Sequence, residues 1–261
     1  MAGRMRTVAT LGVVAAATPL FAAAQWLGVG LGVLRPGWLP MKWRRMTARL
    51  LGLKIVAHGA VAAQKPLLIV ANHVSWIDIV ALGALGEVTF VARGDLSGWP
   101  VIGGLARMSN TIFVDRNNRR GAADQAAIIA GRLAAGAVVV LFAEGTTGDG
   151  VKLRPFKSSL LAAAEIARKT VPDIRIQPVA IAYTRHHGVA VGRRHRMRAS
   201  WIGDEELVPH VRDLLKRDVF DVEIGFGDAF SLDEIDRKDA IRLAETEIRR
   251  FISAFRNGVR L

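Results

Sequence analysis

The chain has 261 residues, no cysteine and a formal net charge of +13 at neutral pH. That length allows one α/β domain plus an appendage, with a core that needs no disulfide or metal. The missing cysteines exclude disulfide frameworks, thiolate nucleophiles and cysteine-ligated zinc, and suit a reducing cytoplasm.

Hydrophobic residues make up 51% and mean hydropathy is +0.26. The polyanionic partner implied by the basic charge is therefore expected to be an anionic membrane surface and not a nucleic acid. The sequence shows neither zinc-finger spacing nor an aromatic-rich RNA-binding signature.

Thr7 to Leu34 carries no charged residue, enough to span a hydrocarbon core. Arg4 and Arg6 precede it, and Arg35, Lys42, Arg44, Arg45 and Arg49 follow. A cleaved signal peptide has a similar profile with a shorter apolar core, so the segment is expected to be retained. Two basic flanks fit either one span followed by a cytoplasmic domain, or a helical hairpin broken at Pro19. Trp26, Trp38 and Trp43 suit an interfacial belt.

From about residue 52, β-branched runs alternate with Ala- and Leu-rich stretches. Strands are expected at Pro66–Ala71, Val88–Ala92, Thr111–Asp115, Ala137–Ala143, Ile174–Tyr183 and Val219–Phe226. Helices are expected at Gly121–Ala135, Ser158–Lys169, Leu207–Arg217 and Asp236–Asn257, the last ended by Gly258. Alternating strands and helices imply an α/β layer architecture, a mixed central sheet flanked by helices, with the N-terminal hydrophobic helix or hairpin appended.

Four constellations could carry chemistry. Asn72-His73-Val74-Ser75-Trp76-Ile77-Asp78 lies where a buried strand gives way to a helix, the usual place for a site in an open α/β sheet. A His there can serve as a general base, and a carboxylate on the far ring nitrogen fixes its tautomer. Five helical positions turn about 500°, so His73 must precede the helix with Asp78 in its first turn. A plainer reading is a capping box, Ser75-x-x-Asp78, with the His incidental.

Phe142-Ala143-Glu144-Gly145-Thr146-Thr147 also ends a strand, with a Gly that permits close backbone approach. Ile112-Phe113-Val114-Asp115-Arg116 offers a guanidinium for an anion. Gln177-Pro178-Val179-Ala180-Ile181 puts a Pro in an apolar strand, the mark of an edge or bulge. The basic run Arg193–Arg198 suits anionic headgroups or an acidic carrier protein, or is a solvated loop. His186, His187 and His195 have no carboxylate at a ligand spacing, so no metal site is expected. Gly150 is followed by Val151, which rules out a P-loop, and no Gly-x-Ser-x-Gly elbow occurs.

In order and separation, these blocks resemble the glycerolipid acyltransferase family, the lysophosphatidic acid acyltransferase group in particular, over roughly residues 40 to 230. The resemblance implies that fold, with residues 1–45 as membrane anchor and 46–261 as catalytic domain. It implies that His73 deprotonates an acceptor hydroxyl, that Asp78 orients it, and that Arg116, Glu144, Gly145 and Thr146 line the acceptor pocket. The donor would be acyl-carrier-protein or acyl-CoA thioester, the acceptor a lyso-lipid, with no cofactor and no metal. The location would be a bacterial-type inner membrane, catalytic domain facing the cytoplasm.

Two departures bear on the acceptor. Ala143 replaces the family's usual Pro, and Thr147 stands where members acting on lysophosphatidic acid usually carry Arg. The stretches Glu144–Ser159 and Gln177–Arg185 look like the branch that acylates lyso-ornithine lipid, whose zwitterionic headgroup has no phosphate. Arg93, Arg116, Arg154 and Lys157 remain near enough in sequence to serve a phosphate instead. A non-catalytic membrane adaptor on the same fold is the rival from another class, and the intact His73 and Asp78 count against it.

Overall fold

The computed structural model describes residues 2–99, 102–114, 122–157, 161–169, 171, 173–203, 205–217 and 220–259, with the side chains of 2–7, 102, 122–123, 194–195 and 216–217 outside that description. Its strands form one mixed sheet in the order β1 (Lys54–His58), β8 (Phe220–Phe226), β6 (Arg175–His186), β2 (Leu67–Ala71), β5 (Val138–Phe142), β3 (Thr89–Arg93), β4 (Ile112–Val114). Two short strands, β7 (Val189–Ala190) and β9 (Phe230–Ser231), pair onto β6. The β2, β5, β3 and β4 pairings are parallel, and β6 runs parallel to β2 but antiparallel to β8.

Every residue of β2 and β5 is buried, as expected for strands covered on both faces. The period of two splits them: Leu67, Ile69, Ala71, Val138, Val140 and Phe142 face one layer, and Leu68, Val70, Val139 and Leu141 the other. The first layer is closed by α2 (Trp38–Leu50), α3 (Ile77–Gly83) and α8 (Leu207–Arg217), through Ala48, Ile77, Val80, Leu214 and Leu215. The second is closed by α5 (Ala122–Ala134), α6 (Ala162–Arg168) and the start of α9 (Arg237–Arg256). Short α4 (Ile102–Met108) and α7 (Arg193–Arg196) sit in the connections.

In α9, residues Ala240, Ile241, Ala244, Ile248, Phe251, Ile252 and Phe255 form one buried stripe. The helix starts at Asp236, whose carboxylate accepts the Lys238 and Asp239 amides, and is followed by Gly258 at φ +69.

Three features differ from the sequence reading. The helix α1 (Ala2–Gly30) runs unbroken through Pro19, so among the described residues the N-terminal segment is one apolar helix and not a hairpin. A proline removes a single N–H rung, and beside it the Thr18 hydroxyl donates to the Val14 carbonyl. Pro178 lies in a central strand, not at an edge or bulge. Its carbonyl accepts from Gly227 in the gap between the β9 and β8 pairings, so the missing N–H faces no ladder partner. Finally α2, expected only as a basic flank, packs on α3, and the expected boundary after residue 45 falls inside it.

One face of α1 touches α2, α4 and α8. Trp43 Nε1 donates to the Thr18 hydroxyl at 3.2 Å, and Gln25 Nε2 to the Pro36 carbonyl at 2.7 Å. Leu20, Trp26 and Leu31 stay exposed, and Val8–Gly30 is long and apolar enough to cross a membrane.

Candidate active site

Because β2 and β5 are parallel neighbours with Ala71 opposite Phe142, the loops leaving their C-terminal ends emerge side by side. One carries Asn72–Trp76 and the other Ala143–Gly150, which is how His73 and Glu144 meet across 71 positions. Asn72 continues the sheet with its side chain, donating to the Ile181 carbonyl and accepting from the Ile181 amide. Strand β6 overshoots the end of β2 and so delivers Tyr183 to the same layer as Asp78.

The backbone of His73 is clamped from the second loop. Its N–H donates to Glu144 Oε1 at 2.8 Å, and its carbonyl accepts from the Gly148 amide at 2.8 Å. The ring stacks on Phe142, with centroids 3.8 Å apart and planes 9° apart. Asp78 Oδ2 lies 2.8 Å from His73 Nδ1 and also accepts the Val74 and Ser75 amides at 2.6 and 2.9 Å. Asp78 Oδ1 accepts from the Tyr183 hydroxyl at 2.6 Å. An ionised carboxylate can only accept, so His73 Nδ1 carries the proton and Nε2 is the basic nitrogen. Nε2 has no hydrogen-bond partner among the described residues, and the ring lines a cleft.

Only half of the capping box is formed: Asp78 accepts the Ser75 amide at 2.9 Å, and the Ser75 hydroxyl does not return the bond. Among the described residues the Ser75 hydroxyl is buried without a partner, and Trp76, the residue before α3, makes no side-chain cap bond. Asp78 does satisfy main-chain amides, but those of the loop before the helix, with the same oxygen that holds the imidazole. Burial, reinforced by the Asp78 charge, pushes the Tyr183 hydroxyl well above its usual range, so it remains a donor.

Glu144 is 3% exposed, and both oxygens are taken: Oε1 by the His73 amide, Oε2 by the Arg154 amide. Burial raises its carboxyl to about 7, against the pull of those two N–H groups. It lines the cleft while holding the His73 loop in place. Gly145 has φ +74, left-handed backbone that a side chain rarely adopts. Gly145 and Thr146 lie outside the cleft lining, with Thr146 exposed, and Arg116 lies outside the described residues. Arg93 pairs with Asp95 at 2.8 Å, and Arg154 and Lys157 are exposed.

Several groups at the site are not indicated by the motifs. Lys152, Arg196 and Arg256 line the cleft, and Ala182 and Ile252 supply apolar wall. Trp76 Nε1 donates to His210 Nδ1 at 3.0 Å, so that nitrogen is unprotonated and His210 Nε2–H donates to the Ser200 carbonyl. With the Trp201 amide donating to the Val74 carbonyl, this braces the His73 loop against α8. Tyr183 is the chain's single tyrosine, in an otherwise apolar strand, and that misfit is a signal the sequence does carry.

Among the described residues, no three potential metal-ligating side chains converge. What is assembled is an imidazole whose Nε2 has no partner among the described residues, backed by a buried carboxylate at a cationic cleft. That constellation suits proton abstraction from a hydroxyl.

Residues 54–182 match the acyltransferase family model. The lyso-ornithine lipid O-acyltransferase of Brucella abortus is 44% identical over 227 residues, 85% of each chain. That of Rhizobium meliloti is 43% identical over 219 residues, 83% of this chain and 75% of the relative. The crystal structure of the 1-acyl-sn-glycerophosphate (LPA) acyltransferase PlsC from Thermotoga maritima has the same fold, with TM-score 0.58 and 16% identity over 92% of this chain and 96% of that one. With a family match over the strands that build the His73 loop, and relatives alike over most of their length, this chain belongs to the acyltransferase family and is an acyltransferase.

Proposed function

We propose that the chain transfers a fatty acyl group from a thioester donor, acyl-carrier-protein or acyl-CoA, to the hydroxyl of lyso-ornithine lipid, giving ornithine lipid at a membrane surface. The observation that carries the chemistry is His73 Nδ1 held 2.8 Å from the buried Asp78 carboxylate, with Nε2 unpartnered among the described residues and His73 lining the cleft. Nε2 takes the hydroxyl proton as the acceptor oxygen attacks the thioester carbonyl. The C–O ester bond forms and the C–S bond breaks. The thiol leaves with the proton returned by the imidazolium, and Asp78 stabilises that cation while it lasts.

For the acceptor, the support is the lyso-ornithine lipid O-acyltransferase activity named for the Brucella and Rhizobium relatives and the uncharged Thr147 after Glu144-Gly145-Thr146. The exposed apolar face of α1 and the net charge of +13 support anchoring at an anionic membrane, with the basic domain on the cytoplasmic side. Lysophosphatidic acid is the second reading, and the cleft cations Lys152, Arg196 and Arg256 speak for it.

The test is a membrane assay with radiolabelled acyl-carrier-protein or acyl-CoA and each lyso-lipid in turn. Ornithine lipid should form, and His73→Ala should lower turnover by about 10²–10⁴-fold. Phosphatidic acid formed with no ornithine lipid would refute the acceptor. Turnover unchanged in His73→Ala would refute the base.

A further inference from the structure

The basic run at residues 193–198 and the C-terminal end of α9 converge on the cleft that His73 lines. Arg196 reaches it from α7 and Arg256 from the last turn of α9, 60 positions later in the chain. Each is anchored by a single bond to a main-chain carbonyl. Arg196 Nε donates to Val191 at 3.1 Å, and one terminal Arg256 nitrogen donates to Gly150 at 2.9 Å. Neither has a carboxylate within ion-pair distance among the described residues.

Two guanidiniums that share a cleft repel one another, and an anion bound between them relieves that repulsion. Partial burial, with the Arg196 charge added, holds Arg256 below its usual range against the opposing pull of Asp149. The anchor matters as much as the charge. Gly150 ends the loop whose Glu144 and Gly148 clamp His73, so Arg256 and the base are both tied to one short segment.

Asp149 lies between the lining residues Gly148 and Gly150 but outside the lining itself, its Oδ1 accepting the Val151 and Lys152 amides. Burial works against its ionisation, but the Lys152 and Val151 amides and the nearby cations outweigh it and keep the carboxyl below its ordinary range. The cleft lining therefore places guanidinium cations beside the base, suited to an anionic group on the acceptor headgroup.

Building on the lyso-ornithine reading above, we propose that Arg196 and Arg256 form the headgroup subsite, gripping the free carboxylate of the amino-acid headgroup and setting the acceptor hydroxyl at His73 Nε2. Guanidinium forks match a carboxylate in two-point contact, which fixes orientation as well as charge.

The test uses the full chain in vesicles with lyso-ornithine lipid, the same lipid with its carboxylate converted to a neutral carboxamide, and lysophosphatidic acid. Wild-type protein should prefer carboxylate to carboxamide by about 10- to 100-fold in acceptor kcat/KM, the range expected for charge-assisted hydrogen bonds. Arg196→Gln with Arg256→Gln should erase that preference while the donor KM stays unchanged, and the double Lys variant should restore part of it. The substrate analogue reads the contact in unaltered protein, so the outcome does not hang on the variant folding. Equal rates on carboxylate and carboxamide in wild type, with ornithine lipid still made, would overturn the subsite and leave the function standing. A rise confined to the donor KM would assign the arginines to the donor's phosphates and also overturn it. Turnover of lysophosphatidic acid alone would overturn the function itself and this assignment with it.

Discussion

Replacing Tyr183 by Phe removes one hydroxyl and keeps a ring that packs edge-on against Phe220 at 6.1 Å. That hydroxyl donates to Asp78 Oδ1 at 2.6 Å, and Oδ1 has no second donor among the described residues. Tyr183 is 4% exposed and Asp78 0%, so the oxygen that loses its donor is a buried one. A hydrogen bond to a charged group contributes about 1.5–3 kcal/mol, and orphaning a buried carboxylate oxygen puts the loss toward the upper end, about 2–3 kcal/mol. For a chain of this size that is a fall in melting temperature of roughly 4–12 °C. Turnover should fall far less. Oδ2 keeps the Val74 amide, the Ser75 amide and His73 Nδ1, and these three fix the carboxylate and the tautomer. The expected loss in kcat is about tenfold or less, under 1.4 kcal/mol of barrier. Thermal melts in detergent and steady-state acyl transfer measure the two effects separately. A loss of turnover as deep as that of His73→Ala, with melting unchanged, would place Tyr183 at the reacting atoms and refute a purely supporting role.

Glu144→Gln should alter the pH dependence of stability. Its carboxyl titrates near 7 in the fold against 4.5 when free, so the folded chain holds a proton that the unfolded chain releases. Stability from this group is full below pH 4.5 and falls as pH rises to 7, by about 3 kcal/mol in all. Gln should flatten that slope, and melts across the interval that keep it would refute the burial account. Gly83→Ala would set a Cβ 2.4 Å from Arg44 Cδ, under a side chain only 1% exposed. Denaturant titration should show a loss of about 1–3 kcal/mol, whereas the open position Gly12 should tolerate Ala. Leu20→Asp puts a charge on the exposed face of α1, costing about 2.5–3.5 kcal/mol of membrane partition. Co-sedimentation with anionic vesicles should drop, and an unchanged pellet would refute insertion through that face.

The legible parts of the fold are those set by local pattern. The all-apolar runs 67–71 and 138–142 announce strands buried on both faces, and α9 shows its stripe, cap and terminating glycine within the 23 residues from Asp236 to Gly258. Helix α2 was masked by composition: Trp38, Lys42, Arg44, Arg45 and Arg49 look like a flank to a membrane segment, although Trp43, Arg44, Thr47 and Ala48 are buried against neighbours. Burial of Arg44 has no local signature. Its guanidinium lies 5.0 Å from the Phe90 ring, on a strand far along the chain, and desolvation lowers its pKa to about 10. Strand β1 is half-exposed and mixed in character, and gains its identity only by pairing with β8, whose partner residues lie near the other end of the chain.

The same division governs the site. His73 and Asp78 are five positions apart, so their partnership is available to a local reading, and Glu144 enters through the strand-end position it shares with His73. Tyr183, Arg196, Arg256 and His210 become members only when β6, α7, α9 and α8 dock, and no spacing in the sequence encodes that. Ser75-x-x-Asp78 shows why a local reading stalls even where it succeeds. Capping and catalysis look like rival uses of one carboxylate, and spacing cannot choose between them. In three dimensions the competition disappears, because a carboxylate has lone pairs enough for two amides, an imidazole and a phenol. The amides that Asp78 satisfies belong to the loop that carries His73, so stabilising the loop and orienting the base are one physical act. A carboxylate with only one of those tasks would leave either the loop or the tautomer free to move.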